Sequence, residues 1–506
     1  MHNGVTPTTA ARVPGAWAAL SLLLTINLFN YIDRQVLSAV LPKLKRDGTL
    51  FDPADPALNT KLGLLTTAFM VAYMLLSPVF ARAGDRFRRW WVVGVGVVLW
   101  SLASGSSGLA SAYLMLLLMR CFVGVGEAAY GPIAPAMISD LFAVQRRGQI
   151  MAIFYAAIPV GSALGFVLGG VLADLFDWRH AFWVTYLGLI PGLLCFVMRE
   201  PPRGAVPKDA PRYFDVLREL RGNRSFVLCC AGMTCTTFVL GGVAVWVPEY
   251  IFQREARFAL TGEVLAKLGT ESKYLSLQGE RLIPEAVTDK LRPAADGRAI
   301  PYLEFVELLK AHLAPAEVRN YSEYLTDAAT TAGSMTTGRI GLIFGAIVVI
   351  SGLVATLVGG WFGDYLRNHR VRGAYFHAAG WTTILAWPFF LAMLFLPFPA
   401  AWGVLFGAVF FLFFNTGPAN TILANVSRSS IRATAFAINI LIIHVLGDAI
   451  SPTVIGAIAD LADLHTAFLI VSVLILVGGG LWVAGSRSLD ADTRRATEAD
   501  ENPPGA

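Results

Sequence analysis

Charged side chains are scarce in this sequence. Asp, Glu, Lys and Arg make up 15% of the 506 residues, whereas hydrophobic residues make up 55%. In a soluble domain about a quarter of the residues are charged, because charged side chains cover its surface. The scarcity of charge therefore excludes an ordinary soluble protein and predicts a chain that lies in a membrane.

Cysteine and the common catalytic motifs are also scarce. The sequence has no Walker phosphate-binding loop, no HExxH motif and no nucleophile elbow, so it predicts neither ATP-driven transport nor an enzyme, and no cofactor or metal. The cysteines all fall inside apolar segments, which favours packing in the membrane over disulfides or metal binding. They are Cys121, Cys195, Cys229, Cys230 and Cys235.

The net charge of +5 is small and lies in short loops, which is not the pattern of a nucleic-acid-binding protein. The first apolar run has no basic segment before it and no clear small-residue cleavage site after it. We therefore interpret this run as a retained helix and not as a signal peptide.

Twelve apolar runs are long enough to cross a bilayer, for which a helix needs about 20 residues. They lie at about 16–41, 59–82, 91–110, 113–137, 148–173, 180–198, 225–251, 338–363, 374–396, 400–425, 431–459 and 465–485. The sequence thus predicts an all-α membrane protein with twelve transmembrane helices.

The distribution of Arg and Lys predicts the orientation. These residues concentrate in the loops after runs 2, 4, 6, 8 and 10, for example Arg82, Arg86, Arg88 and Arg89 after run 2. Short loops rich in Arg and Lys face the cytoplasm. We expect a multi-pass protein of the cell inner membrane with both termini in the cytoplasm.

The domain organisation follows from these runs. We predict an N-terminal six-helix bundle at 1–199, a cytoplasmic linker at 200–224, a C-terminal bundle at 225–485 and a disordered tail at 486–506. The polar stretch 252–336, between helices 7 and 8, is an insert that lies outside the cytoplasm by this topology. We favour a small helical cap without its own chemistry; the alternative is a lid or partner site over the transport path.

The two bundles repeat each other in sequence. Gly131-Pro132 matches Gly417-Pro418, and Ala173-Asp174 matches Ala459-Asp460 at the same separation of 286 residues. Two parallel six-helix repeats have a substrate path between them, near the middle of the membrane. This geometry favours alternating access over a static pore.

Polar residues inside the membrane mark the candidate site, because a charge at the bilayer centre costs at least about 2.5 kcal/mol without partners. Helix 1 carries Asn30, Tyr31, Asp33 and Arg34, and helix 4 carries Arg120 and Glu127 on one face. Residue counting makes a pair between Asp33 and Arg120 geometrically possible. We expect Asp33 or Glu127 to gain and lose a proton during transport; the alternative is that these residues only fix helix packing.

Helix 11 carries a second polar pair, His444 and Asp448, four residues apart on one face. The pair is either a packing element or a contact for substrate from the C-terminal half. Other residues are expected to act in conformational change, because they lie in short loops or in a row of glycines that lets helices approach. These are Asp85, Arg86, Arg89, Gly161, Gly165 and Asp364.

The chain resembles the major facilitator superfamily along all twelve runs. Its loop after helix 2 is similar to the signature Gly-x-x-x-Asp-Arg-x-Gly-Arg-Arg, with Asp85, Arg86 and Arg89 in place, although Ala81 and Arg88 replace the two glycines. The resemblance implies the major facilitator fold, two six-helix pseudo-repeats with the insert between helices 7 and 8.

Within that superfamily the Spinster-like transporters are most similar, strongest over the N-terminal half. The resemblance rests on Asn30-Tyr-Ile-Asp-Arg-Gln-Val-Leu37, on the stretch from Gly124 to Pro135 and on the stretch from Ile153 to Ser162. It implies proton-coupled export of amphiphiles such as lysolipids. It assigns proton coupling to Asp33, Glu127 and Arg120. Residues expected to bind substrate are Arg34, Asn30, Tyr31, Tyr155, His444 and Asp448.

Two alternatives stay open. The helix 1 motif also resembles the organic anion:cation symporters, which import sugar acids, and the fold could serve as a non-transporting membrane receptor. The expected partners are a small-molecule substrate, protons and membrane lipid, and the protein is expected to be a monomer.

Overall fold

Twelve helices that are long and apolar enough to cross a membrane make up most of the described chain. The computed structural model describes residues 15–52, 55–142, 144–200, 213–275, 280–428 and 430–501. The helices, called spans 1 to 12 here, are Ala16–Leu44, Leu58–Arg86, Arg89–Ser107, Tyr113–Leu141, Gln149–Leu175, Trp178–Val197, Arg224–Glu255, Thr337–Asn368, Ala374–Phe395, Ala400–Val426, Thr434–Leu461 and Leu464–Gly485. The prediction of twelve spans from apolar runs is confirmed.

Spans 4 and 10 each break near the Gly-Pro motif that the two halves share. In span 4 one helix ends at Tyr130 and the next begins at Ile133, and in span 10 the first helix ends at Phe413 and the second begins at Thr416. Gly131-Pro132 lies in the break of span 4, and Gly417-Pro418 lies in the first turn after the break of span 10. Proline lacks a backbone N–H and is best accommodated in the first turn of a helix, so the motif favours a restart of the helix at these two places. Other spans carry a proline inside the helix without such a break, at Pro42, Pro78, Pro159, Pro248 and Pro388.

The two six-helix bundles meet through glycines on spans 5 and 8 and on spans 2 and 11. A Cβ atom on Gly341 of span 8 would lie 2.2 Å from the Phe166 carbonyl oxygen of span 5. A Cβ atom on Gly63 of span 2 would lie 2.4 Å from the Pro452 carbonyl oxygen of span 11. The backbones can approach this closely only because no side chain stands between them.

The insert between spans 7 and 8 is a small folded unit. It contains the antiparallel strands Arg257–Phe258 and Ile300–Pro301, the helices Gly262–Lys267, Glu285–Leu291, Tyr302–His312 and Pro315–Ala329, and the 3-10 turns Ser272–Tyr274 and Arg292–Ala294. Phe258 and Phe305 stack in its core with ring centroids 5.1 Å apart. We call the side of the bundle that carries the insert the insert face, and the opposite side, with the loops rich in arginine, the arginine-rich face.

The tail of the chain corrects one prediction. Disorder was predicted for 486–506, but Leu489–Glu501 forms a helix; residues 502–506 lie outside the described residues. Asp492 is buried and accepts a hydrogen bond of 2.9 Å from the backbone N–H of Ser225, at the start of span 7. The first N–H groups of a helix lack partners within the helix, so this contact anchors the tail.

The linker between the bundles is described in part. Its residues 201–212 lie outside the described residues, and Tyr213–Gly222 forms a helix. Glu219 of this helix accepts a hydrogen bond of 2.8 Å from Arg428 at the end of span 10. The linker is thus tied to the C-terminal bundle on the arginine-rich face.

Candidate transport site

An ion pair between spans 1 and 4 forms the centre of the site. The Arg34 guanidinium donates to Glu127 through Nε, at 2.9 Å, and Nη2 lies 2.8 Å from the same carboxylate oxygen. The Glu127 side chain is 0% exposed, whereas that of Arg34 is 19% exposed. A buried carboxylate needs such a partner. The pair thus joins a fully buried carboxylate, Glu127, to a partly exposed guanidinium, Arg34.

Asp33 lies next to this pair in the chain but has a different partner. It is 1% exposed and accepts a hydrogen bond from the Ser104 hydroxyl of span 3. Its Oδ2 atom has no hydrogen-bond partner among the described residues. Ser104 was not singled out from the sequence, because a serine among small residues of an apolar span carries no signal of its own.

The considered pair between Asp33 and Arg120 is not formed as an ion pair in the described structure. Arg120 is buried, and its guanidinium lies over the Phe69 ring with its carbon 5.1 Å from the ring centroid. The Nε and Nη1 atoms have no hydrogen-bond partner among the described residues. Arg120 is still close enough to act on Asp33 electrostatically. Residue counting placed the two groups at one depth but could not tell which way each side chain points.

Phe69 of span 2 is a site residue that sequence reasoning missed. Its ring lies 5.3 Å from the Arg34 guanidinium as well as under Arg120. Tyr31 and Tyr73 complete an aromatic environment for Arg34, at 5.0 and 5.3 Å. Aromatic faces attract guanidinium groups, so these rings hold the two arginines in place. Nothing in an apolar span distinguishes such an aromatic residue from ordinary core.

Asn30 of span 1 and Tyr155 of span 5 lie close to this centre. Asn30 is buried one helical turn before Arg34, and Tyr155 of span 5 is 48% exposed. The ring of Tyr155 packs on Phe154 at 5.2 Å, and the carbonyl of Phe154 accepts a 2.9 Å hydrogen bond from Asn27. The structure thus places the residues of spans 1 and 5 that were predicted to bind substrate near the residues of spans 1 and 4 that were predicted to act in proton coupling.

His444 and Asp448 form the predicted pair on span 11. Nδ1 of the imidazole lies 2.9 Å from both carboxylate oxygens, in a local π-helical turn where Gly447 departs from helical geometry. Gly241 of span 7 faces Asp448 so closely that a Cβ atom there would lie 2.4 Å from Asp448 Cβ. The next residue, Ala449, packs in the apolar cluster that contains Phe69. The pair therefore lies at the junction between the bundles.

The loop residues predicted to act in conformational change lie on the arginine-rich face. Arg89 pairs with Asp140 at 2.5 Å, and Asp364 accepts a 2.7 Å hydrogen bond from Tyr375. Asp85 and Arg86 are exposed at the end of span 2. The role of these residues in conformational change stays a prediction.

The glycine row of span 5 packs on span 1. A Cβ atom on Gly161 would lie 2.8 Å from the Leu28 carbonyl oxygen, and one on Gly165 would lie 2.5 Å from the Ile32 carbonyl oxygen. The row thus brings span 5 against the helix that carries Asp33 and Arg34. A larger side chain at either position would displace the site helix.

Comparison with known proteins identifies the family. The family model of the Major Facilitator Superfamily matches residues 23–268. Protein spinster homolog 1 of Homo sapiens is 31% identical over 516 residues, covering 96% of this chain and 83% of that protein. The chain belongs to the Spinster family of the major facilitator superfamily. Protein spinster of Drosophila melanogaster is 39% identical over 242 residues, which cover 47% of this chain and 39% of that protein.

A solved structure agrees in fold. The crystal structure of a bacterial homolog to the human lysosomal transporter Spinster, in an inward-facing and unoccupied conformation, superposes with a TM-score of 0.70 at 18% identity, covering 95% of this chain and 98% of that one. The superposition shows the major facilitator fold, and membership of the Spinster family together with the twelve spans makes this protein a multi-pass secondary transporter. It moves a small-molecule substrate by alternating access and is not an enzyme.

Two equivalent aspartates join the halves of this Spinster-family protein on the insert face. Asp174 of span 5 accepts a 2.6 Å hydrogen bond from the Gly338 N–H, in the first turn of span 8. Asp460 of span 11 accepts bonds of 2.8 and 2.7 Å from the N–H groups of Asn59 and Thr60, in the first turn of span 2. Each aspartate supplies an acceptor and a negative charge to a helix N-terminus of the opposite half. We call these contacts the capping pair.

An ion pair adds to this closure. Arg46, in the loop after span 1, is buried against Glu249 of span 7 with Nη1 3.2 Å from Oε2. The Arg46 guanidinium also lies 3.8 Å from the ring centroid of Tyr302 in the insert. The capping pair, the ion pair of Arg46 with Glu249 and the contact of Arg46 with Tyr302 therefore hold the two halves and the insert together on the insert face.

Glu323 is predicted to make the docking of the insert sensitive to pH. It lies on the insert helix Pro315–Ala329, and burial, with Asp47 and Asp177 nearby, raises its pKa to about 7 while Lys43 and Arg179 oppose this shift. A carboxyl group with a raised pKa holds its proton more tightly in the folded state. Its contribution to stability is therefore full below its usual pKa of 4.5 and is lost as pH rises towards about 7.

The thermal unfolding midpoint at pH 5 and at pH 8 tests this expectation. The wild type should lose stability between the two values, and Glu323→Gln should lose less and be the more stable protein at pH 8. The matched control is Glu307→Gln, since Glu307 lies in the preceding insert helix with a side chain that is 72% exposed. Equal pH dependence in the wild type and in Glu323→Gln would contradict the role of Glu323.

Proposed function

We propose that this Spinster-family protein couples proton movement to the transport of an organic amphiphile with an anionic group, such as a lysolipid. The observation that carries the proposal is the ion pair between fully buried Glu127 and partly exposed Arg34. The partly exposed Arg34 can contact a substrate. The buried Glu127 cannot stay ionised without a positive partner, because no water solvates its charge.

The coupling follows from this asymmetry. An anionic substrate group that binds Arg34 competes with Glu127 for the guanidinium. A buried carboxylate that loses its positive partner is stable only in its protonated form, because desolvation disfavours the charge. Asp33 is a second buried carboxyl group that is suited to take up a proton, since its Oδ2 atom has no hydrogen-bond partner among the described residues. Substrate binding and proton uptake are then linked through one cation.

The surroundings of Arg34 support an amphiphilic substrate. The rings of Tyr31, Phe69 and Tyr73 lie 5.0 to 5.3 Å from the guanidinium. Such rings offer apolar area beside a positive charge, which suits a molecule with an anionic head and an apolar chain. His444 and Asp448 contribute a polar contact from the C-terminal half in this proposal.

The remaining sequence predictions on topology and assembly are part of the proposal. The protein lies in the cell inner membrane as a monomer, with both termini and the arginine-rich face in the cytoplasm and the insert outside. The contact of Arg46 with both Glu249 and Tyr302 favours a lid over an independent cap. The capping pair and the ion pair of Arg46 with Glu249 support a conformation in which the insert face is closed.

A second candidate is an importer of organic anions such as sugar acids, which the exposed part of Arg34 also favours. Solute-dependent proton flux into liposomes, read with an internal pH dye, separates the candidates. We expect a lysophospholipid to cause proton flux in proteoliposomes and a sugar acid to cause none, with protein-free liposomes as the control.

Two results would overturn the proposal. Flux with sugar acids alone would favour the anion importer. Binding of a lysophospholipid without proton flux from any solute would refute the coupling, and would favour a membrane receptor if no solute crosses the membrane. Thermal stabilisation by each compound, measured on the same preparations, shows that the protein is folded and able to bind.

A further inference from the structure

A cavity of about 810 Å³ lies on the arginine-rich face, and none of the transport-site residues lines it. Its walls are the end of span 8 with the loop to span 9, the end of span 10 with Ser427 and Arg432, and the tail helix Leu489–Glu501 with Arg487. Five arginines line it, against two aspartates, Asp490 and Asp500. The arginines are Arg367, Arg372, Arg432, Arg487 and Arg494.

The positive charge of this cavity is not neutralised by ion pairs. Among the described residues, none of the five arginines forms an ion pair with a carboxylate, although Arg428 and Arg495 just outside the cavity pair with Glu219 and Asp492. Five positive charges and two negative ones leave an excess of three on the cavity wall. An excess of like charges on one wall is repulsive, and a bound anion would relieve this repulsion.

A buried hydroxyl group points to the same conclusion. Ser427 lines the cavity and is 1% exposed, yet its Oγ atom has no hydrogen-bond partner among the described residues. A buried polar atom without a partner is rare in folded proteins and needs an explanation. A ligand that accepts or donates a hydrogen bond at the cavity wall supplies one.

The N-terminal half provides an internal comparison. There Arg89, on the same face, is paired with Asp140 at 2.5 Å, and Glu200 accepts from its backbone N–H at 2.9 Å. The residue 286 positions after Asp140, at the separation of Gly131 from Gly417, is Val426. The N-terminal half thus carries a carboxylate, Asp140, where the C-terminal half has the apolar Val426 next to a residue of the cavity wall, Ser427.

Orientation in the membrane explains arginines on this face but not their arrangement. Loops that face the cytoplasm are rich in Arg wherever they lie. That rule explains neither why five arginines surround one cavity nor why a buried hydroxyl there has no hydrogen-bond partner. The convergence of guanidinium groups and a hydroxyl is the composition of sites that hold phosphate oxygens.

The geometry points to this cavity as a binding site for a phosphate or phosphodiester group, held by the arginines and by the Ser427 hydroxyl. Two sources present this chemistry on the arginine-rich face: the headgroup of an anionic phospholipid and free phosphate. The site is separate from the ion pair of Arg34 with Glu127 and does not depend on the proposed transport cycle.

The test uses the purified full-length protein in detergent. Its unfolding midpoint is measured with phosphatidylglycerol, with phosphatidylcholine, and with sodium phosphate against sodium chloride of equal ionic strength. Native mass spectrometry counts the phosphatidylglycerol molecules that stay bound. The variants are Arg432→Gln combined with Arg487→Gln, and separately Ser427→Val, which keeps the volume of the side chain. Arg221→Gln is the matched control, since Arg221 is exposed on the linker helix outside the cavity.

We expect the wild type and Arg221→Gln to bind the anion, and the double variant to bind it about tenfold more weakly or worse, because it loses charge-assisted hydrogen bonds. Stabilisation by phosphatidylglycerol but not by phosphate identifies a lipid headgroup, and the reverse identifies free phosphate. Equal responses to phosphatidylglycerol and phosphatidylcholine, together with equal responses to phosphate and chloride, would overturn the site. So would wild-type binding by both the double variant and Ser427→Val.

Discussion

Replacing Asp33 by Asn is expected to abolish proton-coupled transport while the protein still folds and inserts. Asn keeps the size of the side chain and can still bond the Ser104 hydroxyl, so the helix packing of spans 1 and 3 is retained. It cannot gain or lose a proton, and the Oδ2 atom that lacks a partner is replaced by an amide nitrogen. We expect solute-dependent proton flux in liposomes to fall by about 100-fold or more, in line with the loss of a group that transfers protons.

Ser104→Ala is the matched control for this variant. It removes the hydrogen bond to Asp33 but leaves the carboxyl group in place, so proton coupling should persist with a shifted pH dependence. Full dependence of transport on the pH gradient in Asp33→Asn would exclude Asp33 as a proton carrier. Glu127 would then be the remaining candidate among the two carboxyl groups.

The second large effect is expected from the capping pair. Replacing both Asp174 and Asp460 by Ala should favour opening of the insert face, because the helix N-termini of spans 8 and 2 lose their acceptors in the opposite half. Loss of one such cap costs about 1–2 kcal/mol. The double variant should therefore shift the equilibrium between the two conformations by about 2–4 kcal/mol, which is about 30-fold or more.

Distances between spin labels test this shift. Leu175 and Leu461 are exposed, at the ends of spans 5 and 11 on the insert face, and occupy equivalent positions of the repeat. Labels there, in a background without the native cysteines, should move apart in the double variant.

The control is Asp463→Ala. Asp463 caps span 12 within its own half, through a 2.6 Å bond from the Thr466 N–H, so it loses the same kind of contact without loosening the junction. If Asp463→Ala and the double variant gave the same distance distribution, the capping pair would not hold the halves together.

The fold was largely predictable from the sequence. A membrane-spanning helix satisfies its backbone hydrogen bonds within itself, so runs of apolar residues locate the spans without knowledge of their neighbours. The repeat was also predictable from local sequence, because Gly131-Pro132 and Gly417-Pro418 are short motifs next to helix breaks. The disorder predicted for the tail was wrong because contacts with distant residues order it, among them the hydrogen bond between Asp492 and the start of span 7 and the burial of Leu489.

The residues of the candidate site were predictable from the sequence, but the contacts between them were not. Asp33, Arg34, Arg120 and Glu127 stood out because charges are rare inside a membrane. The sequence could not show that Glu127 pairs with Arg34, nor that Phe69 lies under both arginines. Which partner a charge takes depends on the rotation and tilt of packed helices, and these follow from contacts along their whole length.

The sequence by itself determined that this protein is a twelve-span, two-fold repeated membrane transporter with a polar centre in its N-terminal half. Only the tertiary structure decided how its charges are paired. It also decided that the repeated aspartates, Asp174 and Asp460, cap helices of the opposite half. The physical reason is the range of the interactions: hydropathy and helix breaks act between neighbours in the chain, whereas ion pairs and caps join residues that only folding brings together.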